Sequence, residues 1–192
     1  MYVRDAKNRE EVWLLDHIEE MGLDETAFRS RDYVIALDEE TGEKSGFGRI
    51  RIHKVDGDDV CELTSIGVLP VWRGQGVGAH VVERLIEHAR DEGFSFVYAL
   101  VDEPSYLTQF GFERIGENEL PEALQGRLED KRENISPEAV PMVLSVSEFV
   151  MPARLREAFK GAEAGGDEEP EESPEDFGID PDSASYKYDT GR

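Results

Sequence analysis

The sequence predicts a mixed α/β domain of the α+β kind, trailed by an acidic tail. Three observations lead there. Residues 46–54 and 60–68 alternate with period 2 and are bounded by polar turns, as in an antiparallel meander. Residues 76–92 switch to the 3.6 period, with Val77, Val81, Leu85 and Ile86 on one face. Residues 94–101 are then almost continuously apolar, which suits a strand covered on both faces.

Taken in order, residues 8–21 carry Val12, Leu15 and Ile18 at helical spacing and stop before Gly22. Residues 32–37 read as a short strand, and the polar run 38–43 as its turn. The partner strand 46–54 sets Phe47, Arg49, Arg51 and His53 on one face against Gly48, Ile50 and Ile52 on the other. A second turn at 56–59 leads to the third strand, 60–68. Gly93 stops the helix over 76–92. After the buried strand come a short helix at 105–110 and a strand at 112–115. A helix over 121–132, a strand at 140–146 and a final helix at 152–160 follow. One right-handed crossover joins the third strand to the buried one. The domain is expected to span 1–160.

The 192 residues hold 44 acids and 21 bases, a net charge of −23. Such a field repels phosphate backbones and argues against a nucleic-acid partner. An anionic small ligand needs local compensation. Acid spread along the whole chain also fits a halophilic protein, since the Debye length falls to about 3 Å at 1 M salt. Residues 161–192 hold eleven acids and two bases among Gly, Pro and Ser, and are expected to be a disordered tail. One cysteine, Cys61, permits no internal disulfide and reads as a half-buried strand residue. His17, His53, His80 and His88 lack metal-site spacing, so no metal is expected. With no signal-like start and no run near the ~20 apolar residues of a span, the expectation is a cytoplasmic protein without a membrane partner.

The densest signal is Val68-Leu69-Pro70-Val71-Trp72-Arg73-Gly74-Gln75-Gly76-Val77-Gly78. A strand ends, Pro70 stops pairing, and three alternate glycines open a helix. Backbone N–H groups can approach a ligand there, at the positive end of the helix dipole. That makes a diphosphate cradle, with Arg73 as a fixed cation beside it. Gly74-x-Gly76-x-x-Ala79 also matches a dinucleotide fingerprint, but the strands before it read as antiparallel and few βα units follow. A phosphate-binding P-loop needs Gly-Lys-Ser/Thr, which is absent. A tight turn that only packs helix on sheet is the remaining alternative.

Arg73-x-x-Gly76-x-Gly78 resembles the acyl-CoA signature of the GNAT superfamily of N-acetyltransferases. The run 106–112, ending in Phe110-Gly111-Phe112, looks like that superfamily's second motif. The resemblance covers about residues 2–146. It implies a mixed sheet with a V-shaped splay between its fourth and fifth strands. It implies acetyl-CoA as co-substrate, with Arg73, Gly74, Gln75, Gly76, Val77 and Gly78 at its diphosphate and Ile66, Gly67 and Val68 along its pantetheine. Glu62 is implied as general base. Tyr106 is the candidate general acid, although the usual tyrosine position holds Leu107.

The stretch around Leu120-Pro121 and Pro141-Met142 is similar to amino-acid N-acetyltransferases. That implies a small amine acceptor, whose carboxylate Arg49 and Arg51 could hold, with Arg127 and Arg132 as further candidates. The alternatives are a protein lysine or N-terminal acetyltransferase, and a non-catalytic acyl-CoA sensor. A homodimer is common in the superfamily.

Overall fold

The computed structural model describes residues 1–165. Residues 166–192, most of the expected acidic tail, lie outside the described residues. In chain order the elements are β1 (Tyr2–Asp5), α1 (Glu11–Glu20), β2 (Tyr33–Leu37), β3 (Lys44–His53), β4 (Val60–Val68) and α2 (Val77–Asp91). Then follow β5 (Phe96–Val101), α3 (Pro104–Thr108), β6 (Glu113–Arg114), α4 (Glu122–Asn134), β7 (Val140–Ser145) and α5 (Ala153–Lys160). They form one seven-stranded sheet of order β1-β2-β3-β4-β5-β7-β6. Every neighbouring pair is antiparallel except β4 with β5.

Four residues too short to show a period, Tyr2–Asp5, form an extra edge strand against β2. With it the meander has four strands, and the splay does fall between the fourth and fifth. The strand at 94–101 is not covered on both faces throughout. Phe96 is exposed, while Val97, Ala99 and Leu100 are buried.

The apolar stripe of α2 presses Val77, Val81, Val82, Leu85 and Ile86 onto the sheet, and this layer is the main core. Burying five such side chains supplies roughly 1.5–3 kcal/mol each. The opposite face of β2 and β3 carries Tyr33, Ile35 and Phe47, covered by Leu14 and Ile18 of α1. Leu124 and Leu128 of α4 close a third cluster over Leu100. No helix among the described residues is long and apolar enough to cross a membrane.

The feature that opens the sheet is a bulge in β4. Phe47 faces Gly67 but Arg49 faces Thr64, so β4 carries one extra residue there. Ser65 sits in that bulge at φ 54, and its hydroxyl donates to the Asp24 carbonyl at 2.6 Å. β4 meets β5 only at Glu62↔Tyr98 and Leu63↔Ala99. Beyond that the strands diverge and leave a wedge.

Candidate active site

A cavity of about 700 Å³ fills the wedge. It runs from the start of α2, between β4 and β5, to the inner side of α4. That volume suits an extended cofactor with a small partner.

One end is made of backbone. Pro70 breaks the pairing of β4, and the chain turns through Gly74 and Gly76 at φ 73 and 74, values that favour glycine. The first amide to find a helical acceptor is that of His80, which donates to the Gly76 carbonyl at 3.2 Å. Among the described residues the amides of 74–79 have no acceptor. Successive N–H groups at the N-terminus of a 15-residue helix form an anion cradle. Arg73 stands at its rim, its Nε donating to the Val68 carbonyl at 3.2 Å. Arg154 of α5 lines the same cavity and is held by Gln109 at 3.0 Å.

The back of the turn is braced by α5. A Cβ on residue 76 would collide with the Leu155 carbonyl oxygen. The His80 ring stacks on Phe159 at 3.8 Å between centroids, and its Nδ1 donates to the Gly76 carbonyl at 2.9 Å. Burial pushes the His80 pKa down, so the ring stays neutral there. The Gln75 side chain accepts from the Glu163 amide and donates to its carbonyl, both at 2.9 Å. Gly165 also donates to the Val71 carbonyl at 3.0 Å. Residues 161–165, read from composition as the start of a disordered tail, are therefore fastened to the turn.

Tyr106 points its hydroxyl into the cavity, across the first turn of α2. The oxygen lies 2.6 Å from where a Cβ on Gly78 would be. The ring is 38% exposed, yet its oxygen end is enclosed, and burial pushes the phenol pKa up to about 12. Leu107, at the usual tyrosine position, turns into the core instead. The proton therefore stays on Tyr106 at neutral pH.

The other end is made of side chains. Arg127 of α4 bridges two buried carboxylates. Its Nη2 pairs with Asp24, and its Nε lies 3.2 Å from Glu62 Oε1. The same Glu62 oxygen meets His53 Nε2 at 2.9 Å. Asp24, Thr64, Lys131 and Ser136 line the cavity.

The structure places several of the expected site residues away from the cavity. Glu62 is fully buried, does not line the cavity, and is committed to Arg127 and His53. Arg49 is buried as well. It donates to the carbonyls of Thr26 at 2.8 Å and Ala27 at 2.5 Å, and lies 3.3 Å from Asp32, so it ties the loop after α1 to the sheet. Neither Arg49 nor Arg51 lines the cavity. Arg132 binds Glu117 at 2.5 Å and the Ala139 carbonyl at 2.8 Å.

Of the residues assigned to the cofactor, Gly67 and Gln75 do not line the cavity, and the others do. The space beside Gly67 is filled by the Phe47 ring and the Met21 sulfur rather than left for a ligand. Cys61 is fully buried, not half-buried, and burial pushes its thiol up to about 12. Lys131, Thr64 and Arg154 were not singled out by sequence, because nothing in their local pattern separates them from surface polar residues.

The profile of the acetyltransferase (GNAT) family matches residues 2–112. Mycothiol acetyltransferase of Thermobifida fusca (strain YX) is 33% identical over 81 residues, 40% of this chain. The chain spans about a quarter of that relative, 25%. N-acetylglutamate synthase from Neisseria gonorrhoeae, solved with coenzyme A and N-acetyl-glutamate, superposes with a TM-score of 0.60 at 22% identity. That match covers 75% of this chain and 34% of the synthase chain. Rv2747 from Mycobacterium tuberculosis, in complex with CoA and NLQ, gives 0.64 at 18% identity, over 76% of this chain and 99% of that one. At these identities the structural likenesses establish the fold.

Proposed function

The chain belongs to the GNAT acetyltransferase family, and from that premise we propose that it moves an acetyl group from acetyl-CoA to a small primary amine. The observation that carries this is the continuity of the cavity from the amide cradle, past Tyr106, to the charged pocket under α4. The fit of the cofactor rests on the same feature: unpaired amides over 74–79 flanked by Arg73 and Arg154 suit a diphosphate in a chain of net charge −23. Ile66 and Val68 on the free edge of β4 suit a pantetheine arm.

In the reaction the amine nitrogen attacks the thioester carbonyl. The C–N bond forms and the C–S bond breaks. The sulfur leaves as thiolate, stabilised by the Tyr106 hydroxyl, and becomes the thiol of CoA by taking the second proton that the nitrogen sheds as the amide forms. The amine must arrive neutral, so one proton leaves it. The exposed carboxylates Asp102 and Glu103 at the cavity wall can pass that proton to solvent. Glu62 acts as a positioning residue, holding Arg127 and through it Asp24. The acceptor is an amine bearing a carboxylate, such as an amino acid. Two structural neighbours carry N-acetyl-glutamate or NLQ in their complexes, which supports this choice.

Protein N-terminal or lysine acetylation is a second reading, favoured by the acidic charge, which suits basic peptides. The test measures free-thiol release from acetyl-CoA with pooled amino acids and with basic peptides. Turnover with amino acids alone supports the first reading, and turnover with peptides alone replaces it. Saturable acetyl-CoA binding without any turnover means a sensor instead. We propose a cytoplasmic, halophilic protein, so the assay includes salt up to about 2 M, where screening relieves self-repulsion. Thermal stability that falls steadily with added KCl would reject the halophilic reading.

A further inference from the structure

Two buried polar groups at the α4 end of the cavity have no partner. Lys131 is 8% exposed as a residue and lines the cavity, where its ammonium keeps contact with solvent and, among the described residues, makes no hydrogen bond or ion pair. Thr64 is 5% exposed, and its hydroxyl is also without a partner. Both line the cavity, as does Ser136 just after α4, whose amide donates to the Lys131 carbonyl at 2.8 Å.

A lysine whose stem is buried and whose ammonium meets only the cavity is poorly solvated, and an anion bound in that cavity would compensate it. Burial lowers the Lys131 pKa, which is the sign of missing compensation. Glu62 and Asp102 attract the charge from a distance and Arg127 opposes it. Arg127 is already committed to Asp24 and Glu62, so it cannot serve an incoming anion. The cavity lining thus offers one uncommitted cation and one uncommitted hydroxyl. A carboxylate, with two acceptor oxygens, satisfies both groups at once.

We propose that Lys131 and Thr64 bind the carboxylate of the acceptor, with Lys131 forming the ion pair and Thr64 donating a hydrogen bond to the second oxygen. This rests on the acetyltransferase reading for the identity of the ligand but not for its charge. The acceptor is thereby an amine with an acid group close enough to lie under α4 while its nitrogen faces the β4–β5 wedge. Neither residue comes from the glycine turn, so discrimination among acceptors is separable from cofactor binding.

The test titrates N-acetyl-L-amino acids, and the matching α-amides, into CoA-saturated protein by calorimetry. The wild type should bind at least one acid roughly 10- to 100-fold more tightly than its amide, the range expected for a charge-assisted contact. Lys131→Met should abolish that preference while leaving CoA affinity unchanged. Lys131→Arg should restore part of it, and Thr64→Val should weaken acid binding several-fold. Met has similar length and removes a buried charge, so the variant should fold, and thermal denaturation checks this. Equal binding of acid and amide by the wild type overturns the proposal. So does a preference that survives Lys131→Met, or the absence of any binding across the panel. A large fall in kcat with unchanged KM in Lys131→Met would mean that Lys131 moves a proton instead, which also overturns it. If acid binding follows Lys131 but no amine is ever acetylated, the enzymatic reading fails and the anion site stands.

Discussion

At the glycine-turn end the cavity is walled by the backbone of consecutive residues, whereas under α4 it is walled by side chains brought from α1's loop, β4 and α4. The two ends fail differently. An amide cradle needs only that nothing with a Cβ stands in the way, so it tolerates many side chains and no bulk. It also faces solvent when empty, so it carries little penalty. A pocket of buried charges needs each partner present. Losing one leaves the others unpaired in a medium where they cannot be solvated. Side-chain removal should therefore be most damaging under α4, and side-chain addition most damaging at the turn.

The sharpest way to break this contrast is Arg127→Met. It leaves Asp24 and Glu62 buried without their shared cation. Removing one partner of such a network costs about 3–5 kcal/mol. In a domain of this size each kcal/mol moves Tm by about 2–4 °C, so thermal denaturation should show a fall of roughly 10 °C. A loss under about 1 kcal/mol would mean that the network is solvated and that the two ends do not differ as described.

The matching addition is Gly76→Ala. It forces a left-handed φ on a residue with a Cβ and drives that carbon into the Leu155 carbonyl. Strain and displacement of α5 should cost about 2–4 kcal/mol and weaken CoA binding at least tenfold by calorimetry. Unchanged CoA affinity would show that the cradle is elsewhere.

The same contrast explains what could be read from sequence. Gly74, Gly76 and Gly78 sit next to one another, so the turn was legible as a pattern, as was the strand-to-helix switch around it. The resemblance implied the splay, and the bulge that opens it falls at Ser65, with Gly67 merely packed against Phe47. The α4 pocket was not legible. Lys131 sits in a helix crowded with charges, and only the fold buries it. Arg49 and Arg51 looked like a pair on one strand face, but strand alternation says which residues share a face, not whether that face meets a ligand. The brace from α5 was also hidden, because its contacts to the turn span about half the chain.

Gly78→Ala sharpens the comparison at the point where the ends meet. Alanine favours the helix by about 1 kcal/mol, so stability should hardly change. Its methyl would nevertheless lie 2.6 Å from the Tyr106 hydroxyl oxygen and push it aside. The expected result is a fall in kcat of roughly tenfold, with little change in Tm, since one hydrogen bond to the leaving sulfur is lost. Tyr106→Phe should give a similar fall, and the double variant should be no worse than either alone. Additive losses would show that the two residues act separately.

The smallest effect is expected from Gln75→Ala. Its side chain makes two exposed hydrogen bonds to the backbone of Glu163, and its amide belongs to the cradle. Truncation removes the first role and keeps the second. Stability should fall by only about 0.5–1 kcal/mol, because exposed hydrogen bonds exchange readily with water. Hydrogen exchange should quicken at residues 163 and 165, while CoA affinity changes less than about threefold. A large loss of CoA affinity would instead mean that residues 161–165 shape the cradle, making the turn dependent on distant side chains much as the α4 pocket is.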